Sequence, residues 1–120
     1  MAQQSNQGGN DTEKTVRDYQ NTQEQLRATM MQLDQLQIQK AELERAKEEV
    51  AGANGKVYIT VGGVIVETSK DKAQADIKEK SELAEVRIGS LTKQLNELKA
   101  KEKALSEKIT QMYKQSQGTG

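Results

Sequence analysis

Acidic side chains are the residues of this chain that could do acid–base chemistry, and there are 18 of them among 120 residues. Acid–base catalysis needs a carboxyl group held within an enclosed pocket. Here nearly all the carboxylates lie three or four positions from a Lys or Arg in helix-forming stretches, as Glu44 does with Lys47. That spacing is typical of solvated ion pairs on an exposed helix face.

Residues for nucleophilic, metal or phosphate chemistry are lacking as well. The chain has no Cys and no His, which excludes disulfides and thiolate metal sites. Gly62 and Gly63 are adjacent, without the longer glycine spacing and the lysine of a phosphate-binding loop. We therefore predict that the protein is not an enzyme and that it uses no cofactor and no metal.

The composition favours long helices over a globular core. Only 33% of the residues are hydrophobic and 2% are aromatic, with no Phe, Trp or Pro, while 30% are charged. A compact core built from so few apolar residues would be thin. Richness in Ala, Glu, Lys, Leu and Gln is instead typical of coiled coils.

The charge and hydropathy patterns exclude several classes of partner. The 18 basic and 18 acidic residues are interspersed and cancel, whereas a nucleic-acid-binding protein needs a basic face. No apolar run approaches the length that spans a membrane. We therefore predict no nucleic-acid partner, no membrane insertion and a cytoplasmic location.

One short stretch, "GKVYITVGGVIVETSK" from Gly55 to Lys70, differs from the rest because it consists mostly of β-forming residues. A two-residue turn at Gly62-Gly63 predicts a hairpin. The predicted partners are Val61 with Val64, Ile59 with Val66, and Val57 with Thr68. One face of such a hairpin is apolar and needs a cover, since an isolated two-stranded hairpin is only marginally stable in water.

Two long helices are predicted on either side of this hairpin. The second has the clearer pattern, with five consecutive heptads of mostly apolar residues and Ser69 as its N-cap. The predicted organisation is a disordered N-terminal arm (1–11), a first coiled-coil helix (12–51), a β-hairpin oligomerisation element (52–69), a second coiled-coil helix (70–114) and a disordered tail (115–120).

Similar helix lengths on both sides of a hairpin predict that the helices pair antiparallel, with Val50 opposite Ile77 and Leu36 opposite Leu91. Further from the hairpin the same register places threonines opposite leucines, and a polar partner forfeits much of the gain from burying a leucine. We therefore expect the ends of the two helices to separate. Separation would expose the apolar residues Val16, Tyr19, Leu26, Met30, Leu105, Ile109, Met112 and Tyr113.

Polar residues also interrupt the apolar seams, namely Lys40, Lys47 and Glu102. Two interpretations stay open at this point. Their side chains could reach past the seam to solvent, or they could specify the alignment of the two helices.

The segment "VYITVGGVIVETSKDKAQADIKEKSELAEVRI" resembles the β-class subunits of prefoldin, most closely the archaeal kind. The resemblance rests on the "VGGVIVETSK" hairpin, the "KDKA" opening of the second helix and the "IKEK…EVR" stretch that follows. It covers roughly residues 56–88, and beyond them only the architecture matches. A single hairpin is the mark of the β class, because α-class subunits have two.

This resemblance implies a fold, partners and an activity. Hairpins from six prefoldin subunits combine into β-barrels, and the coiled coils extend from them as tentacles. The family holds non-native proteins at the tentacle tips without ATP and passes them to a group II chaperonin. It implies a hetero-hexamer of this chain with α-class subunits and further copies of itself. Assembly would use Val57, Ile59, Val61, Gly62, Gly63, Val64, Ile65 and Val66, and clients would bind the exposed apolar residues of the helix ends.

The residues alone leave alternatives open. The hairpin could be a local cap on the coiled coil, and the apolar residues of the helix ends could be ordinary core. The chief rival function is a structural one, a coiled-coil scaffold or filament subunit that polymerises through its hairpin edges. The size of the assembly distinguishes the two functions. The chaperone subunit would form a closed hexamer with a partner, and the filament subunit would form an open-ended series of sizes from this chain alone.

Overall fold

The structure, a computed structural model, describes the backbone of residues 2–118 and the side chains of residues 11–116. In chain order it contains helix α1 (Ala2–Ala51), strand β1 (Val57–Val61), strand β2 (Val64–Thr68) and helix α2 (Lys70–Gly118). The two strands form an antiparallel hairpin. The predicted fold class, two long helices with a single β-hairpin between them, is confirmed.

Both helices are longer than predicted. α1 begins at Ala2 instead of residue 12, and α2 continues to Gly118 instead of ending at residue 114. The predicted disordered arm and tail are therefore helical wherever the structure describes them, while Met1, Thr119 and Gly120 lie outside the described residues. Polar composition predicts disorder there. However, no proline interrupts either segment, and extending an existing helix costs much less than nucleating one.

The chain divides into two structural units. The hairpin unit is Gln32–Leu91 and contains both strands with the adjoining parts of the two helices. The terminal unit consists of Met1–Met31 and Thr92–Gly120, one segment from each helix.

The helices pair antiparallel in the hairpin unit, as predicted. Lys70 Nζ donates a hydrogen bond of 2.7 Å to the carbonyl oxygen of Ala51, and Lys40 Nζ lies 3.4 Å from Glu85 Oε1. From the first contact to the second, the residue number decreases in α1 and increases in α2, as it must in an antiparallel pair. The Lys40–Glu85 ion pair favours this alignment of the helices, whereas Lys47 is exposed to solvent.

The hairpin has the predicted register. Val61 pairs with Val64, and the alignment continues through Ile59 with Val66 to the ends of both strands. Gly62 and Gly63 have φ angles of 55° and 83°. Positive φ at both central positions is the geometry of a type I′ turn, whose twist matches that of the flanking strands and which glycine adopts without a steric penalty.

Gly63→Ala is expected to destabilise the hairpin by roughly 1–2 kcal/mol, because a Cβ atom is unfavourable at positive φ. Faster hydrogen exchange of the Val61 and Val64 amides would measure this loss. Gly89→Ala is the matched control, since Gly89 lies in α2 and, apart from the adjacent backbone of its own helix, no atom lies within 4 Å of the position its Cβ would take. That change should instead stabilise the helix by roughly 0.5–1 kcal/mol. Effects of the same sign in the two variants would contradict the assigned turn.

The start of α2 is capped as predicted. The backbone N–H of Lys72 donates a hydrogen bond of 3.1 Å to Ser69 Oγ, and the N–H of Ala73 bonds to the carbonyl oxygen of Ser69. Asp71 places a carboxylate in the first turn, which suits the positive end of the helix dipole. β2 therefore passes into α2 through one ordered residue.

Candidate functional site

Apolar side chains cover much of the solvent-facing part of the hairpin. Ile65 is 72% exposed and Val64 is 61% exposed, so neither is buried by its own chain. The term hairpin surface denotes the exposed apolar residues of the two strands, which are Tyr58, Val61, Val64, Ile65 and Val66. Apolar residues gathered this densely on a short element mark an interaction surface.

Both edges of the hairpin are open to further strand pairing. In the observed register, Val61 and Val64 flank a two-residue turn, so the backbone groups of alternate residues point away from the partner strand. The outward residues are Thr60 on β1 and Ile65 on β2, with their neighbours two positions along. Within residues 2–118, no backbone hydrogen bond joins either strand to another element. Such edges are templates for strands of another chain.

The base of the hairpin lies beside both helices. Val57 at the start of β1 and Ile77 in α2 are both 8% exposed, and Ala73 in α2 is 1% exposed. Val50 of α1 and Ile59 border the same region, where a cleft of about 220 Å³ separates the hairpin from the helix pair. We call Val50, Val57, Ala73 and Ile77 the hairpin seat.

The predicted assembly residues fall into two groups in the structure. Val57 is buried in the hairpin seat and Ile59 is half-buried, and both line the cleft beside α2. The exposed remainder comprises Val61, Gly62, Gly63, Val64, Ile65 and Val66. Among the predicted assembly residues, side-chain contact with another subunit is therefore open mainly around the turn and along β2.

The predicted separation of the helix ends is wrong. In the terminal unit Thr22 is 1% exposed, and Thr15 and Thr29 are also buried. Thr15 Oγ1 and Thr22 Oγ1 each donate a hydrogen bond of 2.7 Å to the carbonyl oxygen four residues earlier. Because the hydroxyl group is satisfied within its own helix, the threonine can pack its methyl group in the core without an unpaired polar atom.

The eight predicted client-binding residues consequently differ in exposure. Leu26 is 8% exposed and belongs to the core of the terminal unit, together with Leu95 and Leu98. Tyr113 is 63% exposed and Met30 is half exposed. The remaining five are half-buried, and they are Val16, Tyr19, Leu105, Ile109 and Met112. Their role in binding stays a prediction.

Two further observations describe the chemistry that the chain offers. Residues 11–116 contain no group of three or more His, Cys, Asp or Glu side chains that could hold a metal ion. In the helices, as far as they are described, no stretch is long and apolar enough to cross a membrane. The carboxylate Glu67 has one ion-pair contact, 3.9 Å from Lys56 Nζ at the base of the hairpin.

Sequence reasoning missed two residues of this region. Ala73 is the most buried apolar residue of the hairpin seat, and Lys70 bonds to the end of α1. Ala73 lies off the heptad seam of α2, and Lys70 lies one heptad before the seam residue Ile77 but is polar, so neither was expected to matter.

Comparison with known proteins gives a consistent result. Residues 13–116 match the sequence profile of the family described as prefoldin subunit. The prefoldin subunit beta of Thermococcus kodakarensis is 39% identical over 89 residues, which cover 72% of this chain and 76% of the relative. That of Methanococcoides burtonii is 33% identical over 105 residues, covering 83% and 84%.

A solved structure supports the same relationship. The crystal structure of the prefoldin beta subunit from Thermococcus strain KS-1 superposes with a TM-score of 0.75 at 34% sequence identity. The match covers 84% of this chain and 90% of the other. Sequence profile, archaeal relatives and fold agree with the hairpin segment that carries the resemblance. The chain belongs to the prefoldin family, as a β-class chaperone subunit of the kind that assembles with other prefoldin subunits.

Proposed function

We propose that the chain assembles through its hairpin surface into a cytoplasmic hetero-hexamer with α-class subunits and further copies of itself. The supporting observation is the exposed apolar hairpin surface with two open strand edges. Closing several such hairpins into a β-barrel would pair the edges and remove the apolar side chains from water. Burial of Val64 would stabilise the assembly by roughly 1.5–3 kcal/mol per copy, and burial of Ile65 would add a similar amount.

The proposed activity is holding non-native proteins without ATP and without catalysis, followed by delivery to a group II chaperonin. The candidate contacts are the apolar residues of the terminal unit that reach solvent, among them Met30 and Tyr113. Methionine is flexible and polarisable, which suits a surface that accepts many sequences. Several subunits in one complex would bind one client together, so weak single contacts would add up to avid binding.

Removal of the residues before Leu26 and after Glu102 is expected to abolish suppression of client aggregation. The reason is that the truncation takes away most of the candidate contacts, Tyr113 among them, while Met30 and the hairpin unit stay in place. Light scattering of a chemically denatured protein, diluted without ATP into the assembled complex, measures the effect. Sedimentation of the truncated complex should first give a mass that corresponds to six subunits. Undiminished suppression by a truncated hexamer would contradict the proposed role of the terminal unit.

A paired point-variant experiment avoids large deletions. Met30→Ser combined with Tyr113→Ser should weaken aggregation suppression severalfold, because both exposed side chains lose apolar area. Val86→Ser is the control, since Val86 is 69% exposed in the hairpin unit. The sedimentation measurement also tests the rival function, because a filament subunit would give an open-ended series of sizes without an α-class partner.

A further inference from the structure

The hairpin is joined to the two helices by connections of unequal stiffness. β2 reaches α2 through Ser69 alone, and Ser69 caps that helix with the hydrogen bond to Lys72. β1 is reached from α1 through residues 52–56, "GANGK", which include two glycines. Glycine-containing segments have the most conformational freedom. The orientation of the hairpin therefore follows α2 closely and α1 only loosely.

A side chain at the start of α2 forms a hydrogen bond to the end of α1. Lys70, the first residue of α2, donates a hydrogen bond of 2.7 Å from Nζ to the carbonyl oxygen of Ala51, the last residue of α1. The last carbonyl groups of a helix lack intrahelical partners and carry the negative end of the helix dipole. α1 has no basic residue in its own last turn, so the cation at its end comes from α2.

We propose that Lys70 is a positioning residue for assembly, which sets the orientation in which the hairpin surface meets neighbouring subunits. This inference rests on the proposed function of the hairpin as the interface. Closing a barrel fixes the tilt and stagger of each strand relative to its neighbours, so each hairpin must take up a defined orientation. A hairpin that moves freely relative to α1 must lose that freedom on assembly, and this loss weakens binding. The bond from Lys70 to Ala51 removes part of the freedom beforehand.

Lys70→Met tests the inference because it keeps an apolar chain of similar length and removes the ammonium group. The association constant with the α-class subunit should fall roughly two- to fivefold per hairpin, the size expected for one cation at a helix end. Lys70→Arg should keep the association constant of the unaltered chain, since arginine also donates hydrogen bonds to a carbonyl group. Lys72→Met removes the same charge from an exposed neighbour and should leave assembly unchanged. Native mass spectrometry across a concentration series measures all three.

A second readout reports hairpin orientation directly. The chain contains no cysteine, so spin labels can be attached at Thr60→Cys in β1 and Glu44→Cys in α1, both of which are exposed. The distribution of distances between the labels in the unassembled chain should broaden with Lys70→Met. It should keep its width with Lys72→Met and Lys70→Arg.

The outcomes separate failure of this inference from failure of the proposed interface. Ile65→Asp, in the hairpin surface, serves as the reference. Normal assembly of Ile65→Asp would overturn the interface and the inference together. Loss of assembly in Ile65→Asp, with Lys70→Met indistinguishable from Lys72→Met in both readouts, would overturn the role of Lys70 alone.

Discussion

Ile65→Asp is expected to weaken assembly with α-class subunits by about 100-fold or more, while the helical content of the unassembled chain stays unchanged. Ile65 is 72% exposed in the single chain, so the substitution removes little from its stability. We expect neighbouring subunits to cover Ile65 in the assembly, where an unpaired carboxylate would have to be desolvated. The loss of apolar burial adds to that cost, at roughly 1.5–3 kcal/mol for each copy.

Analytical ultracentrifugation of the mixed subunits measures this effect, with circular dichroism as the check on helical content. Val86→Asp is the matched control because Val86 is also a β-branched residue and is 69% exposed, but lies on α2. It should assemble like the unaltered chain. Equal loss of assembly in both variants would show that added negative charge, and not the hairpin surface, is responsible.

Ile77→Ala is expected to lower the free energy of unfolding by about 2–4 kcal/mol, the usual cost of truncating a large buried side chain. Ile77 is 8% exposed in the hairpin seat, where α2 supports the start of β1. The cavity should also loosen the hairpin, since Val57 and Ile77 line the same cleft. Assembly should therefore weaken together with stability, unlike in Ile65→Asp.

Urea denaturation followed by circular dichroism gives the free energy of unfolding. Ile38→Ala makes the same chemical change at an exposed position of α1, where Ile38 is 61% exposed. Its expected effect is neutral or slightly stabilising, because alanine has the higher helix propensity. Similar losses in the two variants would contradict the assignment of Ile77 to a buried seat.

The hairpin is the part of the fold that the sequence predicted in most detail. Gly62-Gly63 permits positive φ at two successive positions, and this turn sets every pair along the strands from Val61 with Val64 onwards. Ser69 likewise predicted the start of α2 through its capping hydroxyl. These predictions held because each depends on residues that are neighbours in the chain.

The ends of the helices were harder to predict. Composition indicated an arm before residue 12 and a tail after residue 114, yet both helices continue beyond these points. Thr22 was expected to weaken the pairing of the helices because its hydroxyl is polar. Its hydrogen bond to the Asp18 carbonyl oxygen satisfies that hydroxyl inside the helix. A heptad pattern records whether a residue is polar, but it does not record where its polar atom finds a partner.

Sequence alone determined the two helices, the hairpin between them and the register of its strands, because helical period, turn chemistry and capping act over a few residues. Only the tertiary structure decided that Thr22 and Leu26 are core, that Ala73 is buried under the hairpin and that Lys70 reaches Ala51. Burial and contacts between helices depend on where residues far apart in the chain come to lie, and no local pattern specifies that placement.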